Sequence, residues 1–114
     1  MELTIGKKTY PLYFGLKFIR EMDKRYTLKR DGIEFGFGVT SAVVYIEDRN
    51  PVILFDLIQA ATITEKSKPS VDEIENLLED EKTDLEKLFK DFLSALETAP
   101  LTKVKLQDLK KQAK

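Results

Sequence analysis

Residues 14–29 read FGLKFIREMDKRYTLK. Leu16, Ile19, Met22 and Tyr26 recur at intervals of three, three and four, which sets them on one face of an α-helix. Phe18 widens that face, and Lys17, Arg20, Glu21, Asp23, Lys24 and Arg25 cover the other side. Lys17–Glu21 and Glu21–Arg25 are i,i+4 pairs of opposite sign, each supporting the helix by a few tenths of a kcal/mol. The pattern predicts a helix over 15–29. Strand-like segments run into it and helical patterns follow it, so its apolar stripe is the packing centre on which both depend.

Upstream, Glu2–Ile5 alternates polar and apolar residues, Gly6-Lys7-Lys8 can turn, and Lys8–Phe14 resumes a strand-like composition. This predicts a β-hairpin over 2–14. Pro11 has no N–H to give a ladder, which pushes the second strand toward an edge or a bulge. A lone hairpin is marginal in water, hence its need for the helix.

Downstream, residues 29–38 read KRDGIEFGFG. Asp31-Gly32 is a turn signal, and Ile33, Phe35 and Phe37 alternate as in a short extended segment. A lone Gly-Phe-Gly lacks the lysine and the strand–loop–helix setting of a phosphate loop. Gly36 and Gly38 are read instead as the place where the chain crosses the first helix. Phe35 and Phe37 admit two readings: core packing, which alternation favours, or an exposed aromatic anchor for a partner.

A second helix is predicted over 39–49, capped by Thr40 or Ser41, with Val39, Ala42, Val43 and Ile46 inward. Asn50-Pro51 is a strong start signal, Asn as cap and Pro at the first helical position. The helix it opens, over 51–65, is apolar apart from Asp56 and Gln59 between Val52 and Ala61. A helix apolar almost all round is buried on most sides, in the core or in an oligomer contact. After a linker at 66–69, Ser70 and Glu73 form a capping box for a helix over 70–79. Thr83 and Glu86 read as a second box for a helix over 83–98, whose stripe is Leu85, Leu88, Phe89, Phe92, Leu93 and Leu96. Ala99-Pro100 stops it. Thr102 is a candidate cap for a basic segment over 100–114, in which Val104, Leu106, Leu109 and Ala113 are apolar. So short a helix is marginal alone, and it is expected frayed or ordered only against a partner. The fold class expected is α+β: one domain over 1–99, with an N-terminal β-hairpin packed on a mainly helical body of about five to six helices.

At 114 residues, 42% hydrophobic and 34% charged, the chain suits one domain. It has no Cys and no His, which excludes disulfides, thiolate chemistry and the commonest acid–base and metal-ligating side chain. No apolar run approaches the ~20 residues that span a bilayer and no leader pattern opens the chain, so a soluble intracellular protein is expected. The net charge of −1 is unevenly spread. Residues 72–97 hold ten acids against three lysines, and residues 103–114 hold five lysines against Asp108. The plain reading is solubility and helix-dipole bias; the sharper one is charge complementarity between copies or with a partner.

Glu79-Asp80-Glu81 lacks calcium-loop spacing and reads as a solvated turn. Ser67 and Ser70 have no His to activate them. Lys24, Arg25, Tyr26, Lys29 and Arg30 make a small basic patch, but nucleic-acid binders show a stronger footprint and the pI is about 5.6. No catalytic, cofactor or metal residue is predicted. The candidate partner or self-association surface is Phe35, Phe37, Phe89, Phe92, Leu96, Leu106 and Leu109. On the residues alone the chain is a small, non-enzymatic α+β domain.

The order of ELTIGKKTYPLYFGLKFIREMDKRYT, NPVILFDLIQAAT, KSKPSVDEIENLLED, a Leu/Phe helix and PLTK resembles the tail assembly chaperones of long-tailed phages and prophages of Gram-positive bacteria. The resemblance covers nearly the whole chain; the FGFGVT stretch and the acidic turn match it least. It implies a protein that binds the long, helical tape-measure protein in the cytoplasm of the infected or lysogenic host. Such a protein keeps its client from aggregating, helps recruit tail-tube protein, and is absent from the mature virion. It also implies a longer product made by translational frameshift, for which Lys110-Lys111 could mark a slippery adenine run. Weak self-association is expected, without nucleic acid, membrane or cofactor. The alternatives are a small regulatory or nucleic-acid-binding module, or a structural subunit of a phage head or tail.

Overall fold

Gly6 sits at φ +64 while Lys7 does not share the positive φ, the pattern of a tight turn with glycine at its first central position. In the computed structural model, which describes residues 1–112, this turn folds β1 (Glu2–Ile5) onto β2 (Lys8–Pro11). The pair is antiparallel with Leu3 opposite Tyr10. Leu3, Tyr10 and Leu12 are buried. Pro11 lies opposite Glu2 at the end of the ladder, where a missing N–H is tolerated. The Tyr13 N–H donates to the Ala61 carbonyl at 2.9 Å, tying the hairpin to the helical body.

The first helix, α1 (Leu16–Arg25), buries Phe18 and Met22. Leu16, predicted to share the inward stripe, is exposed, and Ile19 and Tyr26 are half-buried. The helix also ends four residues before the expected Lys29. Thr27–Arg30 forms β3 and Ile33–Gly36 forms β4, a second antiparallel hairpin with Leu28 opposite Phe35. The reason lies in the turn: Asp31 and Gly32 both have positive φ, 53° and 79°, the two-residue type I′ connection that commits its flanks to strands.

The next two helices supply most of the core. Helix α2 (Gly38–Glu47) turns Val39, Ala42, Val43 and Ile46 inward, and α3 (Val52–Ala61) buries Ile53, Leu54, Leu57 and Ile58 completely. Neither Thr40 nor Ser41 caps α2. That task falls to Asp23 of α1, whose Oδ1 accepts the Gly38 N–H at 2.9 Å. A Cβ on Gly38 would stand 2.5 Å from the Met22 carbonyl carbon, so glycine is what lets the chain pass this close to α1. Asn50 does start α3, accepting the Val52 N–H at 3.1 Å, with Pro51 already at φ −69.

The capping box at α4 (Val71–Glu79) is complete: Ser70 Oγ accepts the Glu73 N–H, and Glu73 accepts the Ser70 N–H. At α5 (Leu85–Thr98) the cap is Asp84, not Thr83. The Thr83 hydroxyl instead donates to the Leu77 carbonyl at 2.6 Å, closing the end of α4. The last helix, α6 (Lys103–Gln112), packs against α5 and α2 of its own chain. Leu106 is buried, the buried Thr102 hydroxyl donates to the Leu96 carbonyl at 2.6 Å, and Lys110 pairs with Glu97 at 3.2 Å. Ala113, expected in its apolar stripe, lies outside the described residues. The architecture is α+β: two separate two-stranded hairpins and six helices among the described residues.

Candidate functional site

Every residue from Thr27 to Phe37 is exposed. Strand alternation and the observed register divide the β3–β4 hairpin into two faces. Leu28 and Phe35 form a cross-strand pair, Arg30 and Ile33 the next, and Phe37 continues their face with its ring 6.4 Å from Phe35. The other face carries Thr27, Gly36 and the Lys29–Glu34 ion pair at 3.7 Å. Leu28, Ile33, Phe35 and Phe37 remain 51%, 57%, 45% and 39% exposed. Four large apolar side chains on one face of the hairpin form a contiguous exposed patch, the kind of feature that makes a candidate interaction surface.

The hairpin is firmly held at its base. The Phe37 N–H donates to the Tyr26 carbonyl at 2.8 Å, one residue before Gly38 reaches Asp23. Arg25 and Tyr26, where α1 gives way to β3, are fixed to α3. Arg25 donates to Asp56 at 2.8 Å, to Gln59 at 2.9 Å and to Glu21 at 3.2 Å. The Tyr26 hydroxyl donates to the other Asp56 oxygen. Burial, and then that bond, push the Tyr26 hydroxyl well above the usual tyrosine range. Asp56 and Gln59, the two polar interruptions of an apolar helix, thus meet the end of α1.

This network takes apart the basic patch read from sequence. Arg25 is engaged with Asp56, and Lys29 with Glu34. Arg20 and Lys24 line a shallow depression of about 340 Å³ together with Phe35 and Gly36. Among the described residues, Arg20, Lys24 and Arg30 have no ion-pair partner.

The structure divides the candidate surface set. Phe35 and Phe37 are exposed, contrary to the core packing that alternation favoured. Phe89, Phe92, Leu96 and Leu106 are buried within the same chain, so they close its own core and present no free surface. Leu109 is half-buried and, with Leu106, borders a groove of about 250 Å³ between α2, α5 and α6. Leu28 and Ile33 complete the exposed patch and were missed. The signal was present in the Asp-Gly turn with alternating residues on both sides.

The hairpin carries apolar Leu28, Ile33, Phe35 and Phe37, the paired Lys29 and Glu34, and exposed Thr27, Arg30 and Asp31. Among the described residues no group of three acidic side chains is placed to hold a metal ion, and no helix is long and apolar enough to cross a membrane.

Of the curated proteins and the solved structures compared with the chain, none matches. The family described as phage tail assembly chaperone protein, TAC, matches residues 2–111, nearly the whole chain. The chain therefore belongs to the phage tail assembly chaperone family.

Proposed function

We propose that this chaperone binds the tape-measure protein, keeps its apolar surface from aggregating and helps recruit tail-tube protein around it during tail morphogenesis. It acts by binding alone, without turnover, in the cytoplasm of the host of a long-tailed phage or prophage of a Gram-positive bacterium, and it leaves before the virion is mature. A longer frameshifted form of the same chain is its second partner, and copies associate weakly.

The observation that carries this reading is the open apolar face of β3–β4 in a chain of this family. A binding protein for an aggregation-prone client needs an accessible apolar surface on a rigid support, not a reactive group. The hairpin offers the surface, and the Asp23 and Asp56 contacts supply the support. Co-expression with the tape-measure protein from the same phage tests the reading. The client is expected in the soluble fraction, co-purifying with the chaperone. A client that stays insoluble and never co-purifies contradicts it.

A further inference from the structure

The acids of the C-terminal half fall into two groups. Those of α5 and its cap are engaged within the chain. Glu86 pairs with Arg49, Asp91 with Lys87 and Glu97 with Lys110, and Asp84 accepts the Lys87 N–H. Those on the outer side of α4 are not. Asp72, Glu75 and Glu79 are exposed and have no ion-pair partner among the described residues. Positions i, i+3 and i+7 lie within about 60° of one another around a helix, so the three carboxylates form one acidic ridge.

A basic ridge of the same pitch stands on α1. Lys17, Arg20 and Lys24 repeat the i, i+3, i+7 spacing, are exposed, and are likewise unpaired among the described residues. The acids beside them are engaged: Glu21 by Arg25, Asp23 by the Gly38 N–H and Glu34 by Lys29. Helix α6 offers no such ridge, because Lys103 and Lys105 diverge by about 200° and Lys110 is held by Glu97. Both α1 and α4 pack on α3, and no ion pair joins their ridges within the chain. Laid side by side in the same direction, the two helices of different copies bring Lys17 to Asp72, Arg20 to Glu75 and Lys24 to Glu79. Leu16 and Val71, 58% and 48% exposed, then stand at the same end of the contact. A net charge of −1 leaves little overall repulsion between copies.

We infer that the Lys17–Arg20–Lys24 ridge of α1 docks the Asp72–Glu75–Glu79 ridge of α4 on a second copy of this chain. The two surfaces differ, so every copy in the contact still has one of them to offer. Such a head-to-tail contact closes into a ring or continues as an open array. Exposed ion pairs are individually weak and screened by salt, so the contact is reversible and gains when copies are held close together. Arg20 and Lys24 meet the hairpin at Thr27, Glu34 and Gly36, on the side opposite Leu28 and Ile33. Docked copies therefore keep their apolar patches open. The inference rests on the proposed weak association of copies and gives that association its surface.

The test is analytical ultracentrifugation of the full-length chain. At low salt the average mass is expected to rise with protein concentration, and the dissociation constant should weaken about ten-fold between about 20 mM and about 300 mM salt. Arg20→Glu with Lys24→Glu, and separately Glu75→Lys with Glu79→Lys, should each weaken association about 100-fold, because like charges then face each other. An equimolar mixture of the two variants should associate as the wild type does, since every ridge again meets its opposite. Circular dichroism checks that both fold. If either does not, Arg20→Gln and Glu75→Gln replace them, each expected to weaken association several-fold. Lys103→Glu with Lys105→Glu should leave it unchanged. Reversed variants that associate as the wild type does, a mixture that stays monomeric, loss of association on reversal of the α6 lysines, or a mass indifferent to salt would each overturn the inference. The outcomes also separate the two ideas. Association that survives reversal of both ridges removes the surface and leaves the proposed association standing, whereas a wild type monomeric even at low salt overturns both. A wild type that fails to hold the tape-measure protein on co-expression, while the mixed variants still associate, strikes the reading of the client and leaves the contact between copies.

Discussion

Asp23, on the last turn of α1, accepts the backbone N–H of Gly38, the first residue of α2, at 2.9 Å. The bond spans 15 positions and brackets the whole exposed hairpin. It gives α2 the cap that its own sequence lacks and closes the base of β3–β4 in the same contact. Asp23→Ala should therefore cost about 1–2 kcal/mol, as for a lost helix cap, measured by urea unfolding. Amide exchange within residues 27–37 should accelerate at the same time. Asp23→Asn, which keeps an acceptor oxygen, should recover most of both.

Gly38 is close-packed rather than flexible. Its added Cβ would meet both the carbonyl carbon and the Cβ of Met22 at 2.5 Å, and backbone yields less readily than a side-chain tip. Gly38→Ala should destabilise by about 1–3 kcal/mol, the range for overpacking. A shift in the midpoint of chemical unfolding at unchanged slope is the readout.

Tyr26 gives the molecule an alkaline edge. Its hydroxyl is held above the ordinary value of 10.0 by burial and by donation to Asp56. A group whose folded value is raised contributes stability in full below the unfolded value and loses it as pH climbs above that value. Stability should thus fall above about pH 10, and Tyr26→Phe should flatten part of that slope in unfolding experiments across pH 8–11. Asp56→Ala, which leaves the half-buried Tyr26 hydroxyl without its acceptor and Arg25 with only Glu21 and Gln59, should cost about 2 kcal/mol at neutral pH.

Arg49 occupies the left-handed region at φ 58 directly after α2. The Arg49 N–H donates to Ile46 and the Asn50 N–H to Tyr45, the pair of bonds that usually ends on glycine. Its guanidinium pairs with Glu86 at 2.9 Å, half-exposed on both sides, a contact worth at most about 1 kcal/mol. Arg49→Gly loses the pair but relieves the backbone, so it should be close to neutral. Arg49→Ala loses the pair and keeps the strain, so it should melt lower than Arg49→Gly by about 1 kcal/mol. Calorimetry on the two variants orders them.

Sequence reading succeeded where the determinants are local. The Ser70–Glu73 box, the Asn50 cap, the Gly6 turn and the inward faces of α2 and α3 all rest on residues within a turn of one another. It failed where the partner is remote. The cap of α2 comes from another helix, so Thr40 and Ser41 were plausible and wrong. Tyr26 continues the helical spacing of Met22, which hid the end of α1, although the Asp31-Gly32 turn already required strands on both sides. Amphipathic spacing shows that one side of an element is covered but not by what. Phe89, Phe92 and Leu96 are buried by their own chain, while Phe35 and Phe37, with a similar apolar pattern, stay exposed.

Hydrogen exchange on the free chaperone and on its complex with the tape-measure protein tests the central claim most directly. The account predicts rapid exchange at residues 27–37 in the free chain and strong protection of the same residues once the client is bound. A complex that leaves those amides as fast as before, with protection elsewhere, or the absence of any complex, would contradict it.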